Sequence, residues 1–411
     1  MQRNISFSKE VFPCPTPPPP PPPPKTPPPP PPLLATLPSP CYTVDRDRRE
    51  ANLEILGNVQ KEAGCKILLA QKAFSFPEVY PQIANHLAGT TASGLYEARL
   101  GYEEMPGKEV HVYKPAYLPG EVEELTHIAG HILFNSFAQW EKYRDVVLSA
   151  PEKPSCGLRV NPEHSTQEGH AIYDPCAPGS RLGITAAEFK PELLHGIEGL
   201  HMHTLCEQGA DALAETLPAF EEKFGKYLHG MKWLNLGGGH HITRPDYDRE
   251  LLVREVRRLR ETYGVEVYLE PGEAVALNAG YLSCRVLDVV RNGIDIAIVD
   301  TSAACHMPDV LEMPYRPNII GSAEPGEKAH TYRLGGPTCL AGDIIGDYSF
   351  DRELRPGDQL VFTDMAIYSF CKNNTFNGMP LPALGTVSRE GGAKVVKAFG
   401  YENFKVRLGK G

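Results

Sequence analysis

The chain has 411 residues, 41% of them hydrophobic and 22% charged, and a formal net charge of -10. That length accommodates two ordinary domains. The acidic balance argues against a nucleic-acid or anionic-membrane partner and suits a cationic one. No run of about 18 apolar residues is present, so no membrane-spanning helix is expected, and the N-terminus lacks the apolar core of a signal peptide. Ten cysteines are scattered without a CxxC pair, as expected of free thiols in a reducing, cytoplasmic setting.

Residues 13–40 contain 18 of the 40 prolines. A tail over 1–38 is therefore expected, a solvated polyproline II rod with no packed core. It reads first as a variable tether and second as a ligand for a proline-binding domain. From residue 39 the texture alternates. "DRREANLEILGNVQKEAG" has apolar positions at helical spacing and closes on Gly64. "KILLAQKAF" follows as a strand and "PEVYPQIANHL" as a helix. "EVHVYKP" and "HILFNS" are strands separated by the helix "GEVEELTHIAG". The helix "AQWEKYRDVV" leads to the strand "SCGLRVNP". After the strand "GIEGLHMHT" comes the long helix "GADALAETLPAFEEKFGKYL". The last alternations are "MKWLNLGGG", "PDYDRELLVREVRRLRETYG" and "VEVYLEPG". Such alternation over 39–275 predicts a parallel sheet with helical crossovers, and eight units close a (β/α)8 barrel with its chemistry at the C-terminal strand ends. After Gly272 the stretches "AGYLSCRVLDVVRNGIDIAIVD", "KAHTYRLGGPTC", "GDQLVFTD" and "AKVVKAFGYENFKVRLG" read as β-rich. A second, mostly antiparallel β domain over 276–411 is expected.

Several strand ends carry reactive groups. Lys72 closes an apolar strand; a lysine there can form a Schiff base if desolvation lowers its pKa, although a lone strand-end lysine more often just reaches solvent. "NLGGG" ends another strand on Gly237, Gly238 and Gly239, whose N–H groups can cradle a phosphate. Glu270, before Pro-Gly, can hold a proton on a heteroaromatic nitrogen. His201 and His203 in "GLHMHT", with His240 and His241 in "GGHHIT", can bind zinc or stack on a flat ring. "GGPTCLAGD" offers Cys339 and Asp343, "HMPDVLEMPYRP" offers Asp309 and Glu312, and "DMAIYSFCKNNTFNG" offers Tyr368.

The order Lys72, Arg159, His203, Gly-rich loop, Glu270-Pro-Gly, "GPTC…D" and "AIY…FNG" resembles the fold-type III, pyridoxal-phosphate-dependent decarboxylases, over residues 39–411. "LLAQKAFS", "GTTASGLYEARLG", "HTLCEQ", "NLGGGHHIT", "EPGEA" and "HMPDVLEMPYRP" are similar to the carboxynorspermidine/carboxyspermidine branch of that family. The resemblance implies an alanine-racemase-like barrel with a C-terminal β domain that takes in the segment near Tyr42. It also implies a head-to-tail homodimer in which Cys339 and Asp343 reach the partner's site. By the same resemblance Lys72 carries pyridoxal 5'-phosphate, Glu270 serves its ring nitrogen and His203 stacks on the ring. Gly237, Gly238, Gly239 and Tyr368 would hold the phosphate, with Ser93 and Arg159 nearby. Cys339 is the favoured proton donor and Lys72 the alternative. Glu273, Asp309, Glu312 and Asp343 are the expected partners for a carboxylated polyamine's ammonium groups, and no metal is expected. One departure stands out: Glu273 occupies the position of the relatives' phosphate-binding arginine. The competing readings are a diaminopimelate or other basic amino-acid decarboxylase, a zinc-dependent barrel hydrolase built on His201, His203, His240 and His241, and a non-catalytic regulatory relative.

Overall fold

The structure is a computed structural model that describes residues 31–167 and 171–410. Strand β1 (Cys41–Asp45) is followed by helix α1 (Arg46–Ala63). The Asp45 carboxylate accepts from the Asp47 and Arg48 N–H groups at 3.1 Å and so starts α1. Gly64 ends it in the left-handed conformation (φ 68°). Leu53, Leu56 and Val59 recur at helical spacing and are buried.

Eight parallel strands then close a barrel: β2 (Lys66–Ala70), β3 (Gly89–Ala92), β4 (Glu109–Tyr113), β5 (His131–Phe134), β6 (Ser155–Arg159), β7 (Gly199–His201), β8 (Trp233–Asn235) and β9 (Glu266–Leu269). Closure comes from β9 pairing with β2, Lys66 opposite Tyr268 and Ile67 opposite Leu269. The strands are short apolar runs because both faces are covered. Leu68, Leu133, Trp233 and Tyr268 pack inside the barrel, while a much larger cluster lies between the strands and the outer helices. At the N-terminal end of the barrel, Lys66 Nζ lies 2.7 Å from Glu109 and 2.9 Å from Glu266.

The second sheet comprises β10 (Gly280–Asn292), β11 (Ile294–Val299), β12 (His330–Gly335), β13 (Ile344–Phe350), β14 (Gln359–Thr363), β15 (Ala383–Ser388) and β16 (Gly392–Lys397), together with β1. Its order is β13-β12-β11-β10-β1-β15-β16, with β14 also on β10. Only β1–β15 and β11–β12 are parallel. The mixed architecture expected from the sequence is thus present. Two ties join the layers near the mouth: the Tyr368 N–H donates to the Ala73 carbonyl at 2.8 Å, and the Asn278 N–H to Asp364 at 2.6 Å.

Four local expectations need correction. The last stretch read as β-rich ends instead in a helix, Tyr401–Arg407. Asn403 accepts from the Gly400 N–H at 3.0 Å and caps it, a local bond that the strand-like "AKVVKAF" beside it obscured. "PEVYPQIANHL" forms only a 3-10 turn, Pro77–Val79, and one helical turn, Tyr80–Ala84. The two prolines each open a turn and keep the segment from one continuous helix. "GEVEELTHIAG" likewise shortens to a five-residue helix, Glu121–Leu125. Finally, packed chain begins before residue 39. Pro31–Leu34 is helical, and Leu34 and Leu37 are buried with Cys41, Tyr281 and Val361. The proline run over 1–30 lies outside the described residues.

Candidate active site

Lys72 follows β2 at the C-terminal end of the barrel. Its side chain is exposed at the mouth yet walled by protein. That burial, and then the Arg159 guanidinium, lower its ammonium pKa, with Glu270 opposing. The wall dominates because surrounding atoms displace water from most directions even though a probe can reach the amine from the mouth. A lysine poised to lose its proton is what a nucleophilic amine requires.

Glu270 follows β9 and is 5% exposed. Its Oε1 accepts from Asn235 Nδ2 at 2.7 Å, and its Oε2 lies 3.6 Å from His201 Nε2. Asn235 Oδ1 accepts in turn from the Gly237 N–H at 2.8 Å. The Gly238 N–H donates to His203 Nδ1 at 3.3 Å. A Cβ on Gly238 would sit 2.4 Å from the Glu270 carbonyl oxygen, so only glycine permits the close approach of this loop to the strand end. Gly239 has φ 82° and is held against Leu205.

Arg159, at the end of β6, is 6% exposed; it donates to the His203 carbonyl at 3.0 Å and stacks 4.7 Å over the Tyr113 ring. Burial and the Lys72 and Arg159 cations hold both His201 and His203 well below the usual histidine range. Ser93, just after β3, is exposed, and its N–H donates to Glu97 at 2.6 Å. Lys72 in turn feels the Glu97 charge. Burial, and then Glu273, push the Tyr368 hydroxyl pKa up, so that hydroxyl stays a donor.

Glu273 lies 3.0 Å from His241 Nε2, with Glu207 in the same cluster. The Glu273 charge, and then burial, push Glu207 up to about 7. Glu273, expected at the position of a phosphate-binding arginine, is here part of an acidic cluster. Burial and then Glu273 also raise Asp364 to about 7. Asp309 and Glu312 sit on a helical turn, Asp309–Glu312, and both are ion-paired to Lys372. A small pocket beside them is lined by Met307, Asp309, Tyr315, Ile367 and Tyr368. A larger groove, of about 680 Å³, is lined by Glu62 and residues such as Arg254 and Arg257 of the outer helix Arg249–Tyr263; none of the candidate residues lines it.

Two expected residues lie apart from Lys72 within one chain. Cys339 is exposed on the loop between β12 and β13. Asp343 is 2% exposed and accepts from Ser302 Oγ at 2.9 Å, Thr338 Oγ1 at 2.7 Å and the Ala304 N–H at 3.1 Å. Expected as a direct partner of substrate, it takes these three donors beside the loop that carries Cys339. His240 is 1% exposed, and burial lowers it to about 4.

Sequence reasoning missed Asn235, Glu97, Glu207 and Lys372. Asn235 left a signal, a polar residue closing the apolar strand "WLN". The others are ordinary surface-type residues that chain contacts bring to the mouth.

His201, His203 and Glu270 lie close enough to share a metal ion. The adjacent Arg159 charge opposes a divalent cation there, and Asn235 already uses one Glu270 oxygen. The same groups fit a flat, anionic, carbonyl-bearing ring. They offer an amine of lowered pKa, a glycine-only cradle, a neutral imidazole and a fixed carboxylate. A barrel with these groups at its C-terminal strand ends, beside a second β sheet, is an alanine-racemase-like fold with a site suited to such a cofactor.

Residues 41–366 match the family model for the pyridoxal-dependent decarboxylases, C-terminal sheet domain, and the chain belongs to that family. It is 42% identical over 382 residues to the carboxynorspermidine/carboxyspermidine decarboxylase of Campylobacter jejuni, covering 90% of this chain and 98% of that protein. It is also 42% identical over 378 residues to the carboxyaminopropylagmatine decarboxylase of Synechocystis, covering 92% and 97%. The crystal structure of the C. jejuni carboxynorspermidine decarboxylase complexed with norspermidine superposes with a TM-score of 0.84 at 41% identity, over 90% of this chain and 100% of that one. Diaminopimelate decarboxylase of Helicobacter pylori, at 18% identity and a TM-score of 0.77, shares the fold. The family's cofactor is pyridoxal phosphate, and no helix among the described residues is long and apolar enough to cross a membrane.

Proposed function

We propose that the protein decarboxylates a carboxylated polyamine, carboxynorspermidine or carboxyspermidine, to norspermidine or spermidine. The observation that carries this reading is the match to the C. jejuni relative over nearly its whole length, with acids lining this chain's mouth where a polyamine tail would extend.

Bound to Lys72, pyridoxal phosphate supplies an electron sink for the pair left behind when CO2 departs. Lys72 would hold the cofactor through its amine, whose lowered pKa favours the nucleophilic free base. Glu270, fixed by Asn235, would keep a proton on the ring nitrogen. His203, held neutral, would offer its imidazole to the cofactor ring without adding charge. Gly237 and Gly238, whose N–H groups are taken by Asn235 and His203, would shape the phosphate cradle, Gly239 would offer its backbone to it, and Tyr368 would donate its hydroxyl. Ser93 and Arg159 border the same space, Arg159 acting through the His203 backbone.

The substrate's ammonium groups meet Glu273 and Glu207 and, further out, Asp309 and Glu312. Unpaired charge at such a site is costly, so the acids favour a polyamine over a substrate with a second carboxylate. Asp343 supports the Cys339 loop. In a head-to-tail homodimer, Cys339 of the partner subunit returns the proton to the carbon that lost CO2, with Lys72 as the alternative donor. The protein works in the cytoplasm, where its thiols stay reduced, and the proline-rich segment is first a tether and second a ligand for a proline-binding domain.

A second reading rests on the Synechocystis relative: the distal group could be a guanidinium. CO2 release from carboxynorspermidine, carboxyspermidine, carboxyaminopropylagmatine and diaminopimelate tests both. The expected order puts one of the first two ahead; turnover of diaminopimelate alone would overturn the proposal.

A further inference from the structure

The outer acids of the mouth already hold a cation. Lys372 Nζ is hydrogen-bonded to Asp309 Oδ1 and Glu312 Oε2. The lysine ends a helical turn, Ser369–Lys372, that begins right after Tyr368, and Tyr368 is tied through its N–H to Ala73, next to Lys72. The Lys372 ammonium therefore projects from the cofactor end of the site to the polyamine end. Tyr315 lines the same small pocket as Asp309.

Lys372 is not what fastens this segment. Asn374 does that, donating from Nδ2 to the Ala304 carbonyl at 2.8 Å and from its N–H to the Cys305 carbonyl at 2.9 Å. The three charged side chains also remain in reach of water: Lys372 is 32%, Asp309 24% and Glu312 53% exposed. An ion pair of that kind exchanges readily, because its net strength is small.

We propose that Lys372 is a tethered stand-in for the substrate's distal ammonium. It neutralises Asp309 and Glu312 between turnovers, gives them up when the polyamine end arrives, and reclaims them as product leaves. It thereby sets specificity and favours product release. The inference rests on the polyamine reading above and adds to it a competing cation within the chain.

The test is norspermidine binding to the holoenzyme by titration calorimetry at low and high salt, with KM for carboxynorspermidine measured alongside. Removing an exposed competing ion pair shifts an equilibrium by about fivefold or less. Lys372→Met and Lys372→Gln should therefore bind norspermidine about three- to fivefold more tightly at low salt. The gain should shrink at high salt, KM should fall with it, and Lys372→Arg should behave as the wild type. Unchanged or weaker binding in both neutral variants overturns the proposal and leaves Lys372 a positioning residue for the acids. A wild-type holoenzyme that neither binds norspermidine nor releases CO2 from carboxynorspermidine overturns the polyamine reading itself, and the inference with it.

Discussion

The Asn235 side chain joins Glu270 to the glycine loop: its amide nitrogen donates to Glu270 Oε1 at 2.7 Å and its amide oxygen accepts from the Gly237 N–H at 2.8 Å. One fully buried amide thus fixes both the acid proposed for the ring nitrogen and the loop proposed for the phosphate. Asn235→Ala strands both groups, at a cost of about 1–3 kcal/mol. Pyridoxal phosphate affinity, read by absorbance titration, should fall about tenfold to a hundredfold. Affinity within twofold of wild type would show that the amide does not organise the site.

Cys339 stands on an exposed loop of the sheet domain, and its carrier loop is pinned by Asp343. Cys339→Ala should lower CO2 release by about 10²–10⁴-fold, as loss of one proton donor does. Mixing it with inactive Lys72→Ala should restore about a quarter of wild-type activity, because half of randomly paired dimers then hold one site with both residues. No recovery after subunit exchange would place the donor within one chain.

Acidity at the mouth sets a pH dependence. Glu207 is raised to about 7 by the Glu273 charge and then by burial, and Asp364 is raised to about 7 by burial and then Glu273. Both lose negative charge as pH falls through 7. Burial opposes protonation of His241, but Glu273 prevails and raises it, so His241 gains positive charge over the same descent. An ammonium-bearing substrate therefore meets a weaker field in acid. KM should rise several-fold from about pH 8 to about pH 6, and Glu207→Gln should raise KM at the upper pH and flatten the profile. A KM that falls on acidification would contradict this electrostatic account.

Stability should show its own acid limb at the opposite end of the barrel. Burial alone would raise the Glu109 carboxyl, but the hydrogen bond to His111 and the pairing with Lys66 outweigh it and take it down to about 2. A depressed acid contributes stability above its unfolded pKa and loses it as pH falls toward the folded value. Glu109→Ala should cost about 1–3 kcal/mol near neutrality. The difference from wild type should close in acid, as measured by denaturant melts across pH. A constant difference would assign the loss to packing.

Much of the architecture was legible because it follows from short-range periodicity. "KILLA" and "WLN" are strands since both faces are covered and every residue is apolar or strand-ending. "VREVRRLRETY" is a helix since Val256 and Leu259 recur on its buried side. Where local hydrogen bonds competed with pattern, reading failed, as at Tyr401–Arg407 and at the proline-broken segment Pro77–Ala84.

By itself the sequence determined seven of the eight barrel strands, missing Gly89–Ala92, together with a β-rich second sheet and the strand ends on which Lys72, His203, Gly238 and Glu270 stand, because strand ends are set by neighbours along the chain. It also placed Glu273 where a cation was expected. Only the tertiary structure decided which charges meet. Asp309 and Glu312 are answered by Lys372, about 60 residues away, Glu273 by His241, and Asp343 by Ser302 and Thr338. Electrostatic pairing depends on distance through space, which a linear pattern does not carry, and so the same acidic letters became a bound triad, a cluster around a buried histidine and a buried anchor.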